Sequence, residues 1–176
     1  MDAAREVLLD SASEFNVATI MARTTLTRKS FYVYYRDRAE LLAELVGPLR
    51  ASTDAEIVRW RTAGDPAAQG RAALASAART YRQHGAILRA VLNSTDDSPD
   101  LVAARAALIE PVIAAAEATV QELPPTRFRD PRSVAGALVT MNVYSLLRLT
   151  PDTSDEELDR VVETLSSVWE AALGVT

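Results

Sequence analysis

Cysteine is absent from the 176 residues, which excludes a disulfide scaffold, a thiolate metal centre and a cysteine nucleophile. The single histidine, His84, cannot build a histidine-rich metal site within one chain, and with no nucleophile to serve it reads as a residue packed or solvated at a helix end. Glycine occurs only six times and never in a phosphate-cradling loop. Aromatic residues make up 6% of a chain rich in alanine and leucine, a balance that favours helices over sheet. No apolar run approaches transmembrane length, and the N-terminus lacks an uninterrupted signal-peptide core, so the expectation is a cytoplasmic protein with no membrane partner. With no catalytic or metal-binding set to be named, the reading is a non-enzyme without cofactors.

What is present is unevenly distributed. Residues 1–50 hold seven basic and seven acidic side chains, leaving 12 basic and 17 acidic in 51–176, so the entire net charge of −5 lies in the second part. That part is unsuited to wrapping nucleic acid. Within the first, residues 23–38 carry five basic residues (Arg23, Arg28, Lys29, Arg36, Arg38) against Asp37 alone, a formal charge of +4. A phosphate backbone is the partner such a concentration suits.

The order of residues around this charge is informative. Val17, Ile20 and Met21 recur at helical spacing behind Asn16, a good N-cap, and a polar turn at Thr24 and Thr25 follows. Thr27 can cap a second short helix, which puts Arg28, Lys29 and Ser30 in its first turn. In a helix-turn-helix that turn meets base edges in the major groove, where an arginine fork can donate twice to guanine. Tyr32 and Tyr34 carry hydroxyls able to reach phosphate, while Phe31 and Tyr35 are placed to pack a small core. The bland alternative, a surface helix pair with solvated arginines, does not account for the ordered series of cap, basic turn, aromatics and second basic pair.

The stretch LTRKSFYVYYRDRAELL resembles the signature of TetR-type transcriptional regulators, and within them the EthR-like branch. That resemblance implies an all-α fold: a three-helix helix-turn-helix head in 1–46, joined by a long helix to a helical ligand-binding and dimerisation domain in 47–176. It implies a repressor that binds double-stranded operator DNA, responds to a small-molecule effector, and forms a homodimer through its last two helices. Carried over position by position, Thr27, Arg28, Lys29 and Ser30 fall on operator-reading positions, and Asn16, Tyr32, Tyr34 and Arg38 on phosphate-contacting ones. Two residues depart from the pattern. Thr25 stands where the family has a turn glycine, so the turn is either reshaped or strained. Arg38 replaces a lysine, keeping the charge as a fork. Against the family the first helix is short, and residues upstream of it are expected.

Along the chain, 3–10 read as a helix with Ala3, Ala4, Val7 and Leu8 inward, followed by a connector, SASEF, that ends on Phe15 as a core plug. Asp37 caps a further helix with Glu40 three residues on and Leu41, Leu42, Leu45 and Leu49 as its stripe. Gly47-Pro48 interrupts that stripe, either as a kink or break or as a proline accommodated at a helix start. The helix resumes to about 63–64. Asp65-Pro66 opens another, expected to end near Gln83, with His84-Gly85 as punctuation. NSTDDSPD is a loop whose acids lack calcium-loop order and are expected to be solvated or to cap the next helix, 101–123, which carries Pro111. Asp130-Pro131 repeats the cap-and-proline start, and the apolar segment after it implies burial from more than one side. The last helix, about 154–173, opens with Asp155, Glu156 and Glu157 at its positive dipole end.

For the effector, Asn142 stands out as an amide among Val139, Met141, Val143 and Leu146, costly to bury unbonded. The resemblance places it where EthR-like proteins hold a ligand carbonyl, and places Tyr81, Ile109, Val139, Leu146 and Trp169 on cavity-lining positions. The competing reading gives Asn142 a bond to a neighbouring helix and the apolar set plain core packing. Gly70 and Ala77 replace larger residues of the relatives, implying a pocket of different shape and a mostly apolar ligand with one acceptor. Two other functions compete: a helical ligand-binding protein or enzyme without an operator, and a non-specific DNA architectural protein.

Overall fold

The computed structural model describes residues 1–10, 15–62, 66–124 and 126–174, and among these every regular element is a helix. The connector residues 11–14, the expected stop at 63–64 and the expected cap Asp65 lie outside the described residues. None of the described helices is long and apolar enough to cross a membrane. The chain divides into two compact units, residues 1–48 with 86–106, and residues 49–85 with 107–176. The contiguous division expected from sequence, 1–46 and 47–176, did not include the return of 86–106 to the first unit.

The first unit begins with α1 (Asp2–Asp10), which packs on α2 (Val17–Ala22), and α2 packs on α3 (Arg28–Tyr34). Ala4, Val7 and Leu8 are the buried face of α1, Ile20 and Phe31 anchor the two short helices, and Phe15 is buried as expected. Helices of six and seven residues are too short to persist alone, so caps and these apolar anchors hold them. Asn16 accepts from the Thr19 amide at 3.0 Å, and Thr27 from the Ser30 amide at 3.2 Å. Next comes α4 (Arg38–Leu45), where Asp37 accepts from the Glu40 amide at 2.9 Å and Leu41, Leu42 and Leu45 are buried.

The break expected at Gly47-Pro48 is present, so the long helix expected to join the two parts is two helices. α4 closes at its C-cap, Val46, and α5 (Gly47–Thr62) begins directly, with Pro48 in its first turn, where a missing amide hydrogen leaves no helical bond unmade. Conversely, the break expected at His84-Gly85 is absent: α6 (Pro66–Leu92) runs straight through it. An internal glycine costs about 1 kcal/mol relative to alanine. Ile87, Leu88 and Val91 beyond it are buried, each contributing about 1.5–3 kcal/mol, so apolar burial outweighs the local penalty.

α7 (Pro99–Gln121) starts two residues earlier than expected and contains Pro111 without interruption. α8 (Pro131–Leu146) starts at the Asp130 cap, whose carboxylate accepts from the Ser133 amide at 3.1 Å, and packs against α9 (Asp155–Leu173). Ser154 caps α9 at its acidic end, and Gly174 closes it in the left-handed region at φ 72°. The second unit holds two apolar clusters. One joins Leu74 and Ala78 of α6 to Leu146, Leu149, Leu158, Val162 and Leu165. The other centres on Ala116, Ala135 and Val139, with Trp60 and Ile109 against it. Trp169 packs on both.

Candidate functional site

The turn between α2 and α3 is built by Thr24 rather than by an unusual backbone. Its hydroxyl oxygen accepts from the Leu26 amide at 3.1 Å and lies 3.3 Å from the Met21 carbonyl, to which it can donate. No described non-glycine residue has positive φ, so Thr25 carries no such strain.

That turn presents α3 with Phe31 inward and Arg28, Lys29, Tyr32, Val33 and Tyr34 exposed. Phe31 holds the aromatic series in place, with the Tyr32 ring edge-on at 5.3 Å and the Tyr35 ring tilted at 5.4 Å. Tyr35 is half-buried, as its assigned packing role requires. Thr27 and Ser30 are less available than their positions suggested, because their hydroxyls lie 3.1 Å apart in a mutual hydrogen bond. Asn16 likewise engages its side-chain oxygen as the α2 cap.

The basic residues divide sharply. Arg23 is paired with Asp10 at 2.6 Å, Arg36 with Asp100 at 2.6 Å and with Glu40 at 3.2 Å. Arg38 donates to the Phe15 carbonyl at 3.3 Å and lies 4.0 Å from Asp96. Arg28 and Lys29 have no ion-pair partner among the described residues. Along the chain all five count equally towards the charge of +4; folding leaves two uncompensated, both in the first turn of α3.

Of the residues assigned to an effector, Ile109, Val139 and Trp169 meet in the cluster around Ala116 and Ala135, while Tyr81, Leu146 and Trp169 meet in the other. Asn142 bonds to a neighbouring helix, by side chain rather than backbone: its Oδ1 accepts from the Trp169 indole Nε1 at 3.1 Å. Burial pushes the Tyr81 hydroxyl up to about 12, so it remains a neutral phenol. The residue missed from sequence is Trp60 of α5, whose ring stands edge-on to Trp169 at 6.1 Å. A Cβ at Gly70 would lie 3.8 Å from the Trp60 indole nitrogen, so an α5 side chain borders the position where a larger α6 residue was noted as missing. Among the described residues no cluster of potential metal ligands occurs. No protein-family model matches the chain, and no curated protein matches it.

Proposed function

We propose that the protein is a sequence-specific DNA-binding transcriptional regulator, a repressor of the TetR type with EthR-like features, acting as a homodimer and controlled by a small apolar effector. One observation carries this reading: the first turn of α3 presents Arg28 and Lys29, exposed and without ion-pair partners, on a helix whose opposite side is fixed by Phe31. Uncompensated cations on a short, rigidly seated helix suit base edges and phosphates. The dimeric part is supported by the outer faces of α8 and α9, where Ala137, Thr140, Tyr144 and Val168 are exposed while Leu138, Val139, Leu158 and Leu165 face inward. Small residues and one aromatic at helical spacing suit close packing against a second copy. For the effector, the Trp169 bond orients the Asn142 amide, directing Nδ2 to donate to a carbonyl-type acceptor.

Selection of bound duplexes from a random DNA pool tests the reading directly. A selected duplex should bind about a thousandfold or more tighter than random sequence, and R28A,K29A should abolish that preference while the protein stays folded and dimeric. A dimer competent for DNA places its two α3 helices about 34–36 Å apart, or a multiple of that. Equal affinity for random and selected DNA would instead support an architectural protein, and a monomer that binds no duplex would sink the regulator reading.

A further inference from the structure

The loop before α7 and the first turn of α7 reach the basic residues that follow α3. Asp100 Oδ2 lies 2.6 Å from Arg36 Nη2, and Asp96 Oδ2 lies 4.0 Å from Arg38 Nη2. Glu40 completes the set by accepting from both the backbone amide and Nε of Arg36, at 2.6 and 3.2 Å. The loop is held in this position by its own bonds. Arg105 donates to the carbonyls of Ser94 and Asp96 and sits 3.7 Å from Asp97. Asp96 in turn accepts from the Ser98 amide at 2.9 Å, which together with Arg38 and Arg105 keeps its carboxyl below the usual range. Residues 36–40 are formally neutral, and Asp96, Asp97, Asp100 and Arg105 add −2. A stretch that is formally neutral along the chain is therefore net acidic together with its folded neighbours.

We propose that Asp96 and Asp100 form an acidic clasp on Arg36 and Arg38 that competes with DNA phosphate, holding down the protein's affinity for any duplex and leaving Arg28 and Lys29 as the cations of this block without an ion-pair partner. The proposal rests on the DNA-binding reading and specifies how that site is restrained. The clasp is built to open, because exposed pairs are individually weak: Arg36 is 70% exposed and Arg38 46%. A phosphate that captures either arginine must displace a carboxylate already there, and that competition carries no sequence information.

The test compares the full-length protein with D96N,D100N, D100N and D97N by anisotropy titration of a fluorescent random-sequence duplex and of a selected one, from 0.05 to 0.2 M salt. Asparagine keeps the Oδ1 acceptor that closes the turn onto Ser98, and D100N alone leaves that turn untouched, so a folding failure in the double variant does not end the test. With Glu40 still on Arg36, removing these acids steepens the dependence of log K on log salt by at most about 1.8 in the double variant and about 0.9 in D100N. We expect D96N,D100N to bind both duplexes tighter by the same factor, tenfold or more at 0.05 M, with the gain shrinking by up to about tenfold at 0.2 M. D97N, which removes a charge facing only Arg105, should gain far less per charge. An equal gain per charge in D97N would assign the effect to general repulsion and overturn the clasp. Unchanged or weaker binding by D96N,D100N and D100N, with the wild-type protein binding DNA, would overturn it while sparing the regulator reading. Failure of wild type and variants alike to bind any duplex would overturn both.

Discussion

The bond from Trp169 Nε1 to Asn142 Oδ1 is the most consequential polar contact of the second unit, and a double-mutant cycle measures it. At 3.1 Å between half-buried side chains it contributes about 0.5–1.5 kcal/mol net, and an indole N–H left without its acceptor costs about 1–3 kcal/mol. N142L should therefore lower the unfolding free energy by about 1–2 kcal/mol, the added apolar surface offsetting part of the loss. W169F removes the same bond, the edge-on contact with Trp60 and some volume, for about 2–3 kcal/mol. Because the Trp60 contact and the volume are lost in both arms that contain W169F, they cancel in the cycle. N142L,W169F should then be less damaging than the sum of the single variants by about 1 kcal/mol. The assay is urea unfolding followed by far-UV circular dichroism, since W169F alters fluorescence, with unchanged urea slopes confirming that stability alone has moved. Additivity to within about 0.3 kcal/mol would refute the reasoning, because the two side chains would then not be coupled.

Other perturbations probe single features of the fold. G136A adds a methyl group that meets nothing within 4 Å, so the better helix propensity of alanine should raise stability by about 0.5–1 kcal/mol in thermal or urea unfolding; a loss of stability in the dimer would mean that this position is covered by a second copy. G174A should cost about 1 kcal/mol, because the residue sits at φ 72° with the Arg127 guanidinium 3.1–3.2 Å from the new Cβ. T27A removes the cap of α3 and should lower stability by about 1 kcal/mol, read as faster amide exchange at Ser30 and Phe31. The Asp130 carboxyl is held below the usual range by the Ser133 hydroxyl and amide, so its contribution is present above the unfolded-state pKa of about 3.9 and is lost as pH falls through the depressed folded value. A urea-midpoint profile between pH 5 and 2 should therefore be flatter for D130N than for wild type.

Most of the helices were legible because their signals are local. The caps at Asn16, Thr27, Asp37 and Asp130 each place a side-chain oxygen against the amide three residues on, and that geometry depends only on adjacent residues. The buried stripe Leu41, Leu42 and Leu45 follows from helical spacing in the same way. The misjudged boundaries are those where distant residues decide. Nothing near His84-Gly85 announces that Ile87, Leu88 and Val91 are buried deeply enough to carry α6 through a glycine. The parting of α4 and α5 at Val46, by contrast, was announced locally by Gly47-Pro48, because proline acts on the backbone of its own turn.

The candidate site was legible as positions but not as chemistry. Spacing put Asn142 and Trp169 on their helices, yet only the folded unit shows the asparagine oxygen already engaged, which changes the amide from a group that could accept or donate into one directed to donate. Charge shows the same limit more strongly. Along the chain Arg23, Arg28, Lys29, Arg36 and Arg38 form one basic block, because the nearest acids in sequence are few. In the fold, Asp10 arrives from 13 residues before Arg23 and Asp100 from 64 residues after Arg36. Counterion release depends on the cations free to replace salt at a phosphate, not on those counted in a window. On the proposed DNA-binding reading, the number of phosphates neutralised should therefore track Arg28 and Lys29 while the acids hold, and rise only as Arg36 and Arg38 exchange carboxylates for DNA.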